Sequence, residues 1–449
     1  MLWRADELFA AAGARGGRAF AASGVSIDTR TLRPGDLFVA LAGEARDGHA
    51  FVEQALAAGA AGVMVSRAIA GVEKFLLVED TLAALTRLGA FARARAGAKI
   101  VAVTGSVGKT TTKEMLRRML GGFGPTHAAD ASFNNHIGVP LTLARMPRDT
   151  AFAVLEIGMN HAGEIAPLAR LARPHVAVIT NIEPAHIGQL GSLEAIAEEK
   201  ATLFGGLEPG GAAVLPGDSP LVARLEHFVP ERVRKIRFGG KGGEVRLLEV
   251  AGGADGSDIA CRVGDRTIRF HLPAPGRHLA VNAAAALAAC HALGLDPERA
   301  AAGLAGFAPV AGRGLRKAIR VPGGEAMLLD ESYNASGASV RAALAVLRVQ
   351  PGRHVAVLGD MLELGEQAAA EHEKLAADVD AAADILFACG PMMRHLFQRL
   401  SPAKQGGFAP DAAALAGLVA SCIRPGDAVL VKGSYGSRMR DVIAALEGG

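Results

Sequence analysis

Between Val101 and Leu116 the chain reads VAVTGSVGKTTTKEML: an apolar, strand-like run, a glycine loop and the start of a helix. A loop at such a junction turns backbone N–H groups and the positive end of a helix dipole toward one point, which stabilises a bound polyphosphate. Gly105, Ser106, Val107, Gly108, Lys109, Thr110 and Thr111 are therefore the candidate phosphate contacts. Lys109 would bring a charge to the terminal phosphates and Thr110 a hydroxyl to magnesium. The spacing departs from the common pattern, which places a glycine five positions before the Gly-Lys pair. Val103 stands there, and the nearest glycine, Gly105, is only three before Gly108.

The elements that must carry this loop fall into three blocks. In residues 1–97, strand-like runs DLFVAL, GVMV and FLLV alternate with Ala-rich stretches and end in the basic helix LGAFARARAGAK. In residues 98–312, IVAVTG, FAVLEIG, VAVITNI and AAVLPG alternate with helical segments, the pattern of a parallel sheet covered on both faces. EVRLLEV, DIACRV and TIRFHL then read as a small antiparallel addition. In residues 313–449, AMLLDES, HVAVLGD, ILFACG and AVLVKGS each stop at a polar or glycine turn, the rhythm of a Rossmann-like sheet with ligands at the carboxyl ends of its strands. The expected fold is three-domain α/β with a central phosphate-loop-type sheet.

Composition narrows the partners. Lys plus Arg is 48 against 45 for Asp plus Glu, and aromatic residues make up 4%, so no basic, stacking surface for nucleic acid is expected. The four cysteines are dispersed without a CxxC pair, which points to reduced thiols in a cytoplasmic protein. No run of about 18 apolar residues suggests a membrane span. The Ala-rich LAVNAAAALAACHALGL, interrupted by Asn282 and His291, reads as a buried helix.

The shortened loop TGSVGKTTTKE resembles that of the Mur ligases and their relative folylpolyglutamate synthase, and the resemblance runs along nearly the whole chain. SFNNHIGVP, LEIGMNHAGEI, TNIEPAHIGQLGS, EEKATLF, LLDESYNAS, LGDMLELGE and LVKGSYGSRM follow in the family's order. The resemblance implies an ADP-forming ligase using ATP and Mg²⁺, with Lys109, Glu156, His186 and Lys200 as its catalytic set. Thr110, Glu156 and His186 would serve metal, and Lys200, carbamylated by CO₂, would organise the metal site. Read alone, EEKATLF is a helix with Lys200 on a charged face, and a lone His is more often a structural hydrogen-bonder.

For the rest of ATP the resemblance implies Asn282 at the adenine edge, Arg313 at a phosphate and Asp330 at the ribose hydroxyls. Ser26, Asp28, Thr29 and Arg30 would head a uridine-diphosphate-binding segment. Asn134, Asn135, Ser332 and Asn334 would face the substrate. Where the family has Asn-Pro after DDSYNA, this chain has Ser336-Gly337, so the stiffening proline is missing.

LGDMLELGE and SYNAS favour the branch that adds D-Ala-D-Ala to UDP-N-acetylmuramoyl-tripeptide, as a monomer with no membrane insertion. The neighbouring branch adds diaminopimelate or lysine and carries a DNPR-like motif absent here. Folylpolyglutamate synthase would leave the first block superfluous, and a nucleotide-binding regulator would not need all four catalytic candidates.

Overall fold

The computed structural model describes residues 1–43, 46–184 and 187–448, and among these it contains three sheets. In the first, Phe75–Leu77, Gly62–Val65, Asp36–Val39 and Gly24–Ser26 lie parallel, with Gly16–Gly17 antiparallel at one edge. The helix Thr81–Arg95 starts where the Asp80 carboxylate accepts from the backbone N–H groups of Leu82 and Ala83 at 2.7 and 2.8 Å. Its basic end turns inward. Arg93 is buried and donates to the carbonyls of Ala172 and Arg173 at 2.9 and 2.8 Å, satisfying the free end of the helix Ile165–Ala172.

The second sheet runs Arg266–Leu272, Ser257–Val263, Val245–Gly252, Arg234–Gly239, Ala212–Pro216, Val176–Ile179, Lys99–Thr104, Phe152–Glu156, Thr126–Ala128. Its first three strands pair antiparallel with one another, and the others are parallel. Val103 explains the short loop. It is a buried strand residue in register with Glu156 on one side and Val178 on the other, so the strand continues to Thr104 and the turn begins only at Gly105. The Ala-rich segment forms the helix Arg277–Ala292, buried along most of its length.

The third sheet is ordered Leu315–Val321, Gly324–Glu331, Ala428–Lys432, His354–Gly359, Ile385–Cys389, Gln405–Ala409. Only the first strand is antiparallel, so Glu331, Lys432, Gly359, Cys389 and Ala409 line one rim. The chain enters this unit through Gly312 and Gly314, whose φ values of 76° and 99° favour glycine.

Candidate active site

Gly105, with φ 148°, lies against Thr180 of the neighbouring strand so closely that a Cβ would strike its hydroxyl. Gly108, with φ 82°, begins the helix Lys109–Gly121, and a Cβ there would fall 2.5 Å from Asn282 Oδ1. Both loop glycines are thus required by backbone conformation and close approach. The second also brings the expected adenine contact onto the phosphate loop. The following strand clamps the loop from its other side. Asn181 Oδ1 accepts from the N–H of Val107 at 2.9 Å, and Ser106 Oγ donates to the carbonyl of Glu183 at 2.9 Å.

Lys109 donates to the carbonyl of Gly105 at 2.7 Å and contacts that of Ser106 at 3.3 Å, so its ammonium lies folded against its own loop. Loss of water there pulls its pKa down to about 8, with Glu156 opposing and Arg313 adding to the shift.

Thr110 donates to Glu156 Oε2 at 2.8 Å and lies 3.3 Å from Ser132 Oγ, while Asn134 donates to Glu156 Oε1 at 2.8 Å. Strand register and helix start therefore converge on one oxygen-rich corner beside the loop. Hydroxyl and carboxylate oxygens suit a hard divalent cation that completes its shell with phosphate and water. Among the described residues no group of three or more His, Cys, Asp or Glu side chains forms a metal site. His186 lies outside the described residues.

Lys200 is 2% exposed, so the reading of a charged, solvated helix face is excluded. Burial, reinforced by the Lys109 charge, holds its pKa well below the lysine range, with Glu199 opposing. Glu199 is itself engaged, accepting from the N–H groups of Gly163 and Ile165 at 2.9 and 3.0 Å.

Arg313 reaches back from the third unit, its Nη2 3.5 Å from Ser132 Oγ and its guanidinium 4.2 Å above the Tyr333 ring. Asp330 is nearly buried and accepts from the Gly312 N–H at 2.7 Å and from the Ser332 hydroxyl at 2.7 Å, which ties the linker to the turn. Asn334 spends its side-chain oxygen on the N–H of Ala335. In the first unit Arg30 binds Asp28 through Nε at 2.9 Å and Nη2 at 2.6 Å, beside the buried Ser26, while Asn135 accepts from Ile137 and Gly138.

Three participants escape a reading by motif. Ser132 links Thr110 to Arg313, and Lys113, fully buried, fixes the segment before it by donating to the carbonyl of Ala129 at 2.6 Å. Lys432, also buried, donates to the carbonyl of Asn334 at 2.9 Å and pairs with Glu331 at 3.4 Å. The usable signal was position: Lys113 lies one helical turn beyond Lys109, and Lys432 ends an apolar run.

Three family models match the chain: "Mur ligase family, catalytic domain" over residues 21–89, "Mur ligase middle domain" over 103–290, and "Mur ligase, glutamate ligase domain" over 319–435. A UDP-N-acetylmuramoyl-tripeptide–D-alanyl-D-alanine ligase from Synechocystis is 38% identical over 94% of this chain and 91% of its own. A crystal structure of MurF from Acinetobacter baumannii superposes with a TM-score of 0.87 at 31% identity, covering 100% of this chain and 99% of that one. The MurF ligase of Thermotoga maritima, solved in complex with ADP, gives 0.80 at 28% identity over 95% of this chain and 97% of that one.

Proposed function

This chain belongs to the Mur ligase family, and from that premise we propose that it joins D-Ala-D-Ala to the terminal carboxylate of UDP-N-acetylmuramoyl-tripeptide at the expense of ATP, a step of peptidoglycan precursor synthesis. The observation that carries the reading is end-to-end similarity to ligases of that name, joined to a phosphate loop beside which Thr110 and Glu156 form an oxygen-rich corner.

The chemistry proceeds in two displacements. The peptide carboxylate attacks the γ-phosphorus of ATP; an O–P bond forms, the bond to ADP breaks, and an acyl phosphate results. The dipeptide amine then attacks the acyl carbon through a tetrahedral intermediate, the C–N bond forms, inorganic phosphate leaves and the amine proton is released. Charge builds up on the transferring phosphoryl oxygens, so pre-positioned positive groups lower the barrier. Lys109 and the loop N–H groups supply that charge, and Arg313 adds to it from the third unit. Asn282 faces the adenine, and Asp330 holds the turn against which the ribose lies. Ser26, Asp28, Thr29 and Arg30 receive the uridine diphosphate, and Asn134 orients the oxygen corner toward the peptide.

Mg²⁺ would be held by Thr110 and Glu156, with His186 at a second position, and supplies charge neutralisation when bound. The burial of Lys200 supports its carbamylation: a lysine kept from protonation reacts with CO₂, and the resulting anion suits a cationic neighbourhood better than a buried ammonium does. No helix among the described residues is long and apolar enough to cross a membrane, and we place the enzyme in the cytoplasm as a monomer.

The test is phosphate release from ATP with UDP-N-acetylmuramoyl-tripeptide against a panel of acceptors: D-Ala-D-Ala, diaminopimelate, lysine and glutamate. Release dependent on D-Ala-D-Ala is expected; preference for any single amino acid would overturn the assignment.

A further inference from the structure

Neighbouring acids of the helix Leu193–Ala201 face in different directions. Glu198 is half-exposed and pairs with Arg224. Glu199, the next residue, is buried beside Lys200. Taking a carboxylate out of water is costly unless donors replace the water. Here Glu199 Oε2 accepts from the Gly163 N–H at 2.9 Å, and Oε1 accepts from the Ile165 N–H at 3.0 Å.

Those two donors belong to a helix start. The helix Ile165–Ala172 begins at Glu164 without a side-chain cap of its own, so a carboxylate 34 residues further along the chain satisfies its first N–H. The positive end of that helix favours the charge as well. Glu164 is spent within the turn, accepting from the Asn160 N–H at 2.7 Å and lying 3.2 Å from His161 Nδ1. Gly163, at φ 88°, supplies the left-handed bend between them and the helix.

The turn that Glu199 grips is the one that leaves the oxygen-rich corner. It runs from Glu156, the end of a strand, to Ile165. Its near end is fixed where the Gly158 N–H donates to the Asn134 carbonyl at 2.8 Å, and the Asn134 amide donates to Glu156 Oε1 at 2.8 Å. Its far end is fixed by Glu199. Lys200 follows Glu199 about 100° further round the helix, where it feels the charge of Lys109. One stretch of helix therefore presents a carboxylate to the loop from Glu156 and an amine to the side of the phosphate-loop lysine.

We propose that Glu199 is a positioning residue for the ligase reaction: its carboxylate holds the helix that carries Lys200 against the loop that leaves Glu156, and so keeps Lys200 and Glu156 in one site. The inference rests on the ligase reading above. Glu199 needs no contact with substrate or metal. It acts through two backbone N–H groups, as the outer partners of metal ligands act through the ligands they orient.

The experiment compares Glu199→Gln and Glu199→Asp with the wild type, and Glu198→Gln, the exposed neighbour, serves as control. Gln keeps one acceptor oxygen and sets its NH₂ group against the other N–H. Its kcat with D-Ala-D-Ala should fall about 10- to 100-fold, while KM for the UDP-tripeptide, bound by the first unit, stays within about twofold. Mn²⁺ titrated into enzyme with ADP and read by electron paramagnetic resonance should bind Glu199→Gln at least about tenfold more weakly. Glu199→Asp keeps both acceptors on a shorter arm and should lose less of each; it carries the test if Glu199→Gln does not fold. Glu198→Gln should match the wild type in every readout. A lowered thermal midpoint with unchanged kcat and Mn²⁺ affinity would reduce Glu199 to a helix cap and overturn the proposal with the ligase reading intact. A wild type inactive with D-Ala-D-Ala would bring down that reading, and the Mn²⁺ comparison would still decide whether Glu199 positions the site.

Discussion

The central unit meets its two neighbours in different ways. Toward the first unit the contact is a continuation of the core. Trp3, fully buried, donates its indole N–H to the Ala144 carbonyl at 3.0 Å, and Arg95 lies 3.9 Å above its ring and 3.2 Å from Glu7. Glu7 also binds Arg148, and Leu141 and Ala144 belong to the same hydrophobic cluster as Trp3, Leu8 and Leu88. Toward the third unit the contact is made through hydrogen bonds: Arg313 to Ser132, Arg316 to Asp255, Gln350 to the Ala254 carbonyl and the Gly188 N–H to the Glu363 carbonyl. The hydrophobic clusters of the central unit reach Phe307 and those of the third begin at Ile319. An apolar seam holds two units as one body, whereas a polar contact can be made and unmade at little cost. The residues proposed for uridine diphosphate, Ser26, Asp28, Thr29 and Arg30, stand on the fixed pair, and those proposed for ATP lie on both sides of the separable contact. Nucleotide binding should therefore draw the third unit in about Gly312–Gly314.

The strongest way to break this comparison is at the seam. Trp3→Ala removes the largest side chain there and should cost about 3–5 kcal/mol, seen as a lowered thermal midpoint by circular dichroism. An unchanged midpoint would mean that the seam is not a core.

Across the cleft the effects should be on rate instead. Lys109→Ala should leave the midpoint alone yet lower turnover at least about a hundredfold, because a charge on the transferring phosphoryl group is lost. Near-normal ADP formation by the folded variant would remove the loop from the mechanism. Lys200→Arg should fall comparably, since guanidinium stays charged and cannot be carbamylated. Small carboxylates in the buffer should restore part of the rate to Lys200→Ala; full activity of Lys200→Arg would dismiss the carbamate.

A smaller effect follows from Lys109 in the free enzyme. Its pKa of about 8 means that its charge, needed for phosphate, is present below that pH and lost as pH rises through it. Bound phosphate favours the charged form, so the Kd for ATP should be flat below about pH 8 and weaken above it, at most about tenfold per pH unit. Lys109→Arg should flatten the profile, and a flat wild-type profile would count against this environment for Lys109.

The least effect belongs to the polar contact. Asp255 is 96% exposed, so Asp255→Ala should move the thermal midpoint by less than about 1 °C. A loss comparable to that of Trp3→Ala would erase the distinction between the interfaces. Scattering profiles with and without an ATP analogue and UDP-tripeptide sharpen the same point: compaction is expected, and identical profiles would leave the polar contact without a role in closure.

Much of this molecule is local and was legible in the chain. The loop could be read because glycine at Gly105 and Gly108, a strand before and a helix after are consequences of short-range backbone geometry. Glu156 could be placed because an apolar run that stops at a carboxylate ends a strand. The buried Ala-rich helix and the antiparallel addition were visible as periodicity. Tertiary structure alone decided what happens to charges. Lys200, read alone, sits on a charged helix face, yet it is buried, and Arg93 is buried against carbonyls about 80 residues away in the chain. Trp3 finds its partner 141 residues away, and Ser132 finds Arg313 181 residues away. Periodicity and turn chemistry act over a few residues, so they write elements into the sequence. Burial, desolvation and ion pairing depend on which elements meet, and the chain acquires those only when it folds.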